Sequence, residues 1–252
     1  MFIDTHCHLT DRHCTEGDAE RAIANAMVAG VGAMICPTAD PADIPGALEL
    51  AQAHDNIFCT IGIHPEYTNA KPDEFLTDDI LSNPRVVGVG EIGLDYHYGA
   101  DTKKQQIELF EKQLEIAKKY KLPVAIHTRE AEEDTANILT GDACGVMHCY
   151  TSSWELAKKM LDRGFMFSAS GILTFKNSGE IRETFAKIPI DRIVIETDAP
   201  YCAPVPYRGK PCEPAMVIET ARVLAEVKGV TLLELECILE QNTKKLYPKM
   251  KF

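Results

Sequence analysis

The sequence has 252 residues, of which 45% are hydrophobic and 25% charged, and its formal net charge is −12. This length matches the roughly 250 residues of a (β/α)8 barrel and is enough for one domain over 1–252 with a sizeable core. The acidic balance argues against general binding to nucleic acid or to anionic membranes, because both attract basic surfaces.

The cysteines and the apolar runs indicate the compartment. Nine cysteines are scattered along the chain, and none forms a CxxC pair. The odd number and the scattered positions without CxxC pairs argue against a disulfide framework and a thiolate zinc site, so we expect reduced thiols. No apolar run approaches the ~20 residues of a membrane span, and the first residues carry a histidine pair rather than a signal segment. We therefore expect a cytoplasmic monomer with no membrane association and no stable protein partner.

Short apolar runs alternate with helical periodicity along the whole chain. After a first strand at 2–3, strands are predicted at 33–36, 57–63, 86–91, 124–127, 145–148, 165–168 and 192–197. Helices are predicted at 19–29, 42–54, 73–82, 102–120, 132–139, 154–162, 180–187, 214–227 and 232–246. Parallel neighbouring strands need a helical crossover, so this alternation predicts an α/β fold. We predict a TIM barrel, with an open doubly wound sheet as the alternative.

Two histidines with one residue between them follow the first strand, in the stretch MFIDTHCHL over 1–9. On extended backbone, side chains at i and i+2 point to the same side, so His6 and His8 would project together. Neutral imidazole is the commonest protein ligand of metal ions, and two imidazoles aimed at one point are half of a metal site. A surface strand that happens to carry two histidines is the alternative interpretation.

More metal-binding side chains follow other strands. His64 comes after the third strand, Glu91 ends the fourth, His127 the fifth, His148 the sixth, and Asp198 follows the eighth. In a barrel the carboxyl ends of all strands meet on one face, so these residues would converge there. Taken singly, His127 and His148 could be hydrogen-bonded core histidines, and Asp198 could cap a turn. An unpaired buried carboxylate at Glu91 is harder to explain in that way, because burying it costs several kcal/mol.

The six metal-ligand candidates are His6, His8, Glu91, His127, His148 and Asp198, which exceed the three protein ligands of a mononuclear catalytic zinc site. The number suits two divalent ions that share a carboxylate, and Glu91 is the natural bridge because a carboxylate has two oxygens. Such a pair of ions can hold a hydroxide and polarise a phosphoryl or carbonyl oxygen. Mixed imidazole and carboxylate ligands leave Mg²⁺, Mn²⁺ and Zn²⁺ open.

Six motifs together resemble the TatD-related metal-dependent deoxyribonucleases of the amidohydrolase superfamily. They are MFIDTHCHL (1–9), GIHP (62–65), GEIGLDY (90–96), PVAIHTR (123–129), HCY (148–150) and ETDAPY (196–201). By this resemblance, His6, His8, Glu91 and Asp198 would hold one ion, and Glu91, His127 and His148 the other. The catalytic residues would be Asp198, which orients or deprotonates the attacking water, and the bridging Glu91.

The resemblance also implies substrate contacts and a substrate. His64 would lie beside the substrate phosphate, and Arg129 and Arg208 would contact phosphates as forked cations on site-facing loops. The expected activity is a deoxyribonuclease that removes nucleotides from DNA ends. Two loops depart from the family pattern. The loop after the sixth strand reads Tyr150-Thr151-Ser152 where Phe-Ser-Gly is usual, and Cys212 stands where the pattern after the eighth strand has Asn.

Two other functions remain open at this stage. The same centre could hydrolyse small esters or amides, or aminoacyl and RNA esters, and the acidic charge and altered loops favour this alternative. A metal-binding barrel without turnover is the second alternative, although it gives Asp198 and His64 no purpose. No basic tract interleaved with aromatic residues indicates a general nucleic-acid binder.

Overall fold

Eight parallel strands follow one another in chain order around the sheet of the computed structural model, which describes residues 1–10, 18–141 and 143–251. A doubly wound sheet reverses its strand order at a switch point, and this sheet does not. The last strand returns to the first, where the Thr5 amide donates to the Ile195 carbonyl at 3.0 Å and the His8 amide to the Ala199 carbonyl at 2.7 Å. The predicted TIM barrel is confirmed, and the doubly wound alternative is wrong.

Strands and helices alternate as the sequence predicts. The strands are β1 (Phe2–Asp4), β2 (Val31–Pro37), β3 (Ile57–Thr60), β4 (Val86–Asp95), β5 (Val124–Arg129), β6 (Gly145–Met147), β7 (Met166–Ala169) and β8 (Ile193–Ile195). The helices are α1 (Asp18–Val28), α2 (Ile44–Ala53), α3 (Pro72–Phe75), α4 (Asp78–Leu81), α5 (Lys103–Tyr120), α6 (Glu132–Ile138), α7 (Trp154–Asp162), α8 (Gly179–Lys187), α9 (Val217–Lys228) and α10 (Leu232–Leu246). Across these described residues, no helix is both long enough and apolar enough to cross a membrane.

The predicted single helix over 73–82 is wrong, because the structure has two short helices there. Leu76 leaves the helical region at φ −92° and ψ 64°, and Thr77 is extended at ψ 165°. The break comes after one turn of α3, and α4 then starts with Asp78 and Asp79, whose charges suit a helix N-terminus.

An apolar cluster fills the barrel towards the amino-terminal ends of the strands. It combines inward side chains such as Ile3, Phe58 and Met166 with Tyr247 and Met250, which follow α10. A second and larger apolar cluster lies between the sheet and the helices. The polar residues at the other end of the strands therefore stand on a dry, closely packed support, which holds their backbone in place.

Candidate metal centre

Glu91 stands at the middle of the polar cluster, and the structure corrects its place in the chain. The sequence predicts that β4 ends at Glu91, whereas β4 runs on to Asp95. The pairing of β4 with β5 shifts register between Val89 and Ile92, and the Glu91 amide donates to the Thr38 carbonyl at 3.0 Å. Such an irregularity in a strand re-aims a side chain, and here it turns a carboxylate into the barrel mouth.

The segment just before Glu91 is in close contact with a glycine of the loop after β3. A Cβ on Gly62, in the GIHP stretch, would lie 2.6 Å from the carbonyl carbon of Gly90. The loop after β3 can therefore approach β4 closely only because residue 62 has no side chain. This approach brings His64 towards Glu91.

The two oxygens of Glu91 face two different sets of imidazoles. Oε2 lies 3.3 Å from His6 Nε2 and 3.6 Å from His8 Nε2. Oε1 lies 2.8 Å from His127 Nδ1 and 3.4 Å from His148 Nε2. We call His6, His8 and Asp198 the β1/β8 half of the cluster, and His127 and His148 the β5/β6 half.

The β1/β8 half is closely assembled. His6 Nε2 and His8 Nε2 lie 3.2 Å apart, so the two imidazoles point to one place as their spacing predicts. Asp198 Oδ1 lies 3.6 Å from His8 Nε2 and 3.9 Å from His6 Nε2. The backbone of Asp198 has a φ of 60°, in the left-handed region, and its amide donates to the His6 carbonyl at 2.9 Å. A residue other than glycine in that region is common at functional sites, where the surrounding structure holds it.

In the β5/β6 half, each imidazole has a carboxylate at the nitrogen that faces away from Glu91. His127 Nε2 lies 3.2 Å from Asp95 Oδ2. His148 Nδ1 lies 2.8 Å from Glu196 Oε1, a close charge contact that is not aligned as a hydrogen bond. Metal-ligating histidines generally carry such a partner, which fixes the orientation of the ring. The two ring centroids are 6.2 Å apart, so this half converges through Glu91 rather than by direct contact.

Sequence reasoning missed Asp95 and Glu196 as members of the site. Both are almost completely buried, at 2% and 1% exposure. A signal existed for Glu196, because it lies two residues before Asp198 and directly after the apolar strand β8. Asp95 offered a weaker signal, because its place in the site depends on β4 continuing four residues past Glu91.

These outer carboxylates raise the pKa of the β5/β6 imidazoles. For His127, burial lowers the pKa, but hydrogen bonds with Asp95 and Glu91 outweigh it and raise the pKa to about 9. For His148, burial acts in the same direction, and the charges of Glu196 and Glu91 raise the pKa to about 10. Both imidazoles therefore hold a proton at neutral pH until a cation displaces it.

The β1/β8 half titrates differently. Burial and the neighbouring charge of His148 lower the pKa of His6. Burial also lowers the pKa of His8, but its hydrogen bond with Asp198 and the charge of Glu91 outweigh this and raise it. Burial alone would raise the pKa of Asp198 and of Glu91, yet the surrounding imidazoles hold both pKa values below their ordinary range. Both carboxylates are ionised at neutral pH.

A cavity of about 420 Å³ opens onto this cluster. His64 lines it, with Nε2 3.6 Å from Glu91 Oε1, and the Glu66 amide donates to His64 Nδ1 at 3.3 Å. Arg129 also lines it and is the one arginine or lysine among the described lining residues. Arg208 is exposed, with its guanidinium carbon 3.8 Å from the ring centroid of Phe175, and it is not among those lining residues.

The rim of the cavity carries tyrosines and carboxylates. Tyr98 is 68% exposed, and the Arg129 guanidinium lies over its ring at 4.7 Å. Tyr201 is 44% exposed, with its ring edge-on to His8 at 6.1 Å between centroids. Asp40 and Glu66 add negative charge to the same rim. The mouth therefore offers flat aromatic surfaces and the cation of Arg129 in an acidic setting.

The donor atoms fit divalent metal ions. An ion about 2.1 Å from each nitrogen and oxygen ligand needs donors that lie about 3.0–3.4 Å apart. The distances in the β1/β8 half, from 3.2 to 3.9 Å, require only a small contraction. The β5/β6 half offers two imidazole nitrogens at 2.8 and 3.4 Å from the same Glu91 oxygen, and His64 adds a third at 3.6 Å. The ionised carboxylates of Glu91 and Asp198 favour a cation here, and the imidazoles can bind it once they have lost their protons.

Comparisons with known proteins agree with this chemistry. The family model described as TatD related DNase matches residues 3–248. A relative from Escherichia coli, the uncharacterized metal-dependent hydrolase YcfH, is 38% identical, and the similarity covers 98% of this chain and 96% of the relative. A Bacillus subtilis relative, the uncharacterized metal-dependent hydrolase YabD, is 36% identical over 98% of this chain and 99% of its own length.

A solved structure shows the same fold. The Escherichia coli TatD homolog YJJV superposes with a TM-score of 0.88 at 29% sequence identity, and the match covers 98% of each chain. A hydrolase TatD family protein from Entamoeba histolytica superposes with a TM-score of 0.84 at 26% identity, over 98% of this chain and 97% of that one. The barrel and its chain length are thus shared with these relatives.

Proposed function

Because the chain belongs to the TatD-related DNase family, and is therefore a metal-dependent hydrolase, we propose that it is a phosphodiesterase that removes nucleotides from DNA ends. The observation that carries the proposal is the position of the Glu91 carboxylate, whose two oxygens face two separate sets of ligand atoms. This arrangement suits two divalent ions, Mg²⁺, Mn²⁺ or Zn²⁺, held as His6, His8, Glu91 and Asp198 on one side and Glu91, His127 and His148 on the other. When bound, such ions activate water and neutralise charge on a phosphoryl group.

Asp198 is the proposed proton acceptor. Its carboxylate is ionised at neutral pH, since the imidazoles of His8 and His148 hold its pKa down. It lies at the inner wall of the cavity, where a water beside the substrate phosphorus could pass it a proton. Glu91 is the second proposed catalytic residue, because it joins the two halves.

His64 and Arg129 are the proposed phosphate contacts. His64 Nε2 faces Glu91 and the cavity, while the amide nitrogen and the carboxylate of Glu66 lie 3.3 and 3.4 Å from Nδ1. With a proton on Nε2, the ring can donate to a phosphoryl oxygen. Arg129 stands at the mouth beside Tyr98, where it can pair with the phosphate of the next nucleotide while the base stacks on the ring. We keep Arg208 as a further candidate contact for a longer strand.

The test is degradation of single-stranded DNA labelled at the 3′ or the 5′ end, with Mg²⁺, with Mn²⁺ and with EDTA. We expect metal-dependent shortening, and a loss of at least about a thousandfold in Glu91→Gln, because both ions lose their shared ligand. Glu180→Gln is the matched control, since Glu180 is exposed on α8. Full activity in EDTA or in Glu91→Gln would rule the proposal out.

Hydrolysis of small esters or amides, including aminoacyl and RNA esters, is the second candidate. The acidic side chains Asp40 and Glu66 on the rim favour it, because they repel a polyanion and suit a neutral or cationic substrate. Parallel assays with an aryl phosphodiester and an aryl carboxylic ester separate the two activities. Turnover of the carboxylic ester alone, in protein with verified metal, would favour this candidate over the nuclease.

The proposal includes the setting of the enzyme. We place it in the cytoplasm as a monomer that acts without a stable protein partner. The eight cysteines within the described residues are free thiols, which is typical of proteins from reducing compartments.

A further inference from the structure

Two cysteines that the proposed chemistry does not use lie beside Asp198. Cys149 follows His148, and Cys202 lies on the loop after β8 and lines the active cavity. Ligand atoms of Cys149 and Asp198 lie within 4.8 Å of each other. Cys202 Sγ donates to Asp198 Oδ2 at 3.4 Å, and Cys149 Sγ lies 3.0 Å from Ser170 Oγ.

The backbone holds this thiol pair in place. Cys149 and Cys202 have φ values of 41° and 52°, both in the left-handed region, and the Cys149 amide donates to Glu196 at 2.7 Å. A side chain at Gly171 would collide with the Cys202 carbonyl oxygen, so the loop is packed tightly there. Two turns, each in a conformation that is unfavourable for a residue other than glycine, thus hold both cysteines beside Asp198.

We propose that Cys149, Cys202 and Asp198 form a binding site for one thiophilic divalent cation such as Zn²⁺. Two sulphurs and one carboxylate oxygen are three protein ligands, and they leave a fourth position open to the cavity. With Zn–S of about 2.3 Å and Zn–O of about 2.0–2.2 Å, tetrahedral coordination needs a sulphur–oxygen separation of about 3.5 Å. The distance from Cys202 Sγ to Asp198 Oδ2, 3.4 Å, fits this requirement. Thiolates select soft cations over Mg²⁺.

Asp198 links this thiol site to the β1/β8 half. Its Oδ1 faces His8 at 3.6 Å, and its Oδ2 faces Cys202. Ligand atoms of His148, Cys149 and Asp198 all lie within 4.8 Å of one another, so the two sites adjoin. A soft cation on the sulphurs therefore competes for the carboxylate that the proposed function uses as its proton acceptor. We expect excess Zn²⁺ to inhibit the enzyme through this site.

Three other described cysteines, Cys7, Cys144 and Cys237, do not belong to this site. Cys7 lies between the two histidines in sequence, but it is fully buried and its sulphur contacts the Ile35 carbonyl at 3.6 Å. Cys144 and Cys237 are exposed. The sequence argued against a thiolate site because no two cysteines form a CxxC pair, and Cys149 and Cys202 are remote in the chain. They meet only because the barrel brings the ends of β6 and β8 together.

The experiment is a titration of the reduced, Mg²⁺-saturated protein with Cd²⁺, followed by the thiolate-to-cadmium charge-transfer absorption in the ultraviolet. Nitrogen and oxygen ligands do not give this band, so it reports sulphur coordination alone. We expect the absorption to reach a plateau that corresponds to one Cd²⁺ held by two thiolates per chain, whatever Cd²⁺ the imidazole ligands take up without absorbing. It should disappear in Cys149→Ser/Cys202→Ser and persist in the matched control Cys144→Ser/Cys237→Ser.

Cys202→Ser alone guards against a fold defect, because Cys202 is only partly buried on a loop. It should lose about half of the absorption, since one of two sulphur ligands remains. No band in the wild type, or an undiminished band in the folded Cys149→Ser/Cys202→Ser variant, would overturn the inference. The absorption does not depend on DNA hydrolysis, so a failure of the proposed nuclease activity leaves this test decisive. Zn²⁺ inhibition at least about tenfold weaker in Cys202→Ser would extend it to the active enzyme.

Discussion

The β1/β8 half and the β5/β6 half of the cluster use the same kinds of ligand in different surroundings. His6 and His8 share the carboxylates of Glu91 and Asp198, which face their metal-binding nitrogens. His127 and His148 each have a carboxylate of their own, Asp95 or Glu196, at the nitrogen that faces away from Glu91. Their pKa values rise to about 9 and about 10. A carboxylate behind an imidazole thus keeps a proton on the ring, and a cation must displace that proton to bind.

The largest expected effect of this difference is on the pH dependence of metal binding. At pH 6 to 8 the pH lies below both raised pKa values, so His127 and His148 are protonated, and binding at the β5/β6 half releases two protons. Its affinity should then rise about 100-fold for each pH unit. In the β1/β8 half the pKa of His6 is lowered, so at most His8 releases a proton, and the affinity should rise at most about tenfold per unit.

Two double variants isolate the halves for this measurement. His6→Ala/His8→Ala leaves the β5/β6 half, and His127→Ala/His148→Ala leaves the β1/β8 half. Titration calorimetry with Mn²⁺ in two buffers of different ionisation enthalpy counts the protons released. Equal proton release from the two variants would show that the outer carboxylates do not set the protonation of the site.

Removing one outer carboxylate should have the next largest effect. Glu196→Gln takes away a charge 2.8 Å from His148 Nδ1, so the pKa of His148 should fall and its ring should lose orientation. Removal of such partners generally lowers metal affinity about 10–100-fold. Asp95→Asn should act on His127 in the same direction but less strongly, because that contact is longer, at 3.2 Å. Proton release should drop by up to one in Glu196→Gln.

Glu66→Gln is the matched control for both substitutions. Its carboxylate lies 3.4 Å from His64, outside the ligands proposed for the two ions, and its side chain is 54% exposed. Its metal affinity should remain within about twofold of the wild type. If Glu66→Gln weakened metal binding as much as Glu196→Gln, the effect would be a general loss of negative charge at the cavity rather than ring orientation.

The fold was predictable because its signals are local and repeated. Each strand is a short apolar run, and the helices follow with their own period, so the barrel emerged from many agreeing segments. The exceptions depend on single residues. The helix expected over 73–82 breaks at Leu76 and Thr77, whose conformations no periodicity reveals. The extension of β4 to Asp95 depends on pairing with β5, which is a tertiary contact.

The site was predictable to the extent that it lies at strand ends. The six predicted ligands lie in one cluster at the barrel mouth, as the barrel topology requires: His6, His8, Glu91, His127, His148 and Asp198. Which nitrogen faces which oxygen could not be read from the sequence, because the register shift at Glu91 and the left-handed φ of Asp198 decide it. For the same reason, the sequence did not predict that Glu196 lies beside His148, or that Cys149 and Cys202 both lie beside Asp198.

The smallest predicted effect concerns substrate binding on the two sides of the mouth. The β5/β6 side carries Arg129 over Tyr98, and the β1/β8 side carries Tyr201 beside His8. Arg129→Gln should raise KM for DNA about tenfold with little change in kcat, because it removes one charge-assisted hydrogen bond worth about 1.5 kcal/mol. The control Arg222→Gln, exposed on α9, should leave KM unchanged. A tenfold rise in Arg208→Gln with none in Arg129→Gln would instead assign the phosphate contact to the loop that packs on Phe175.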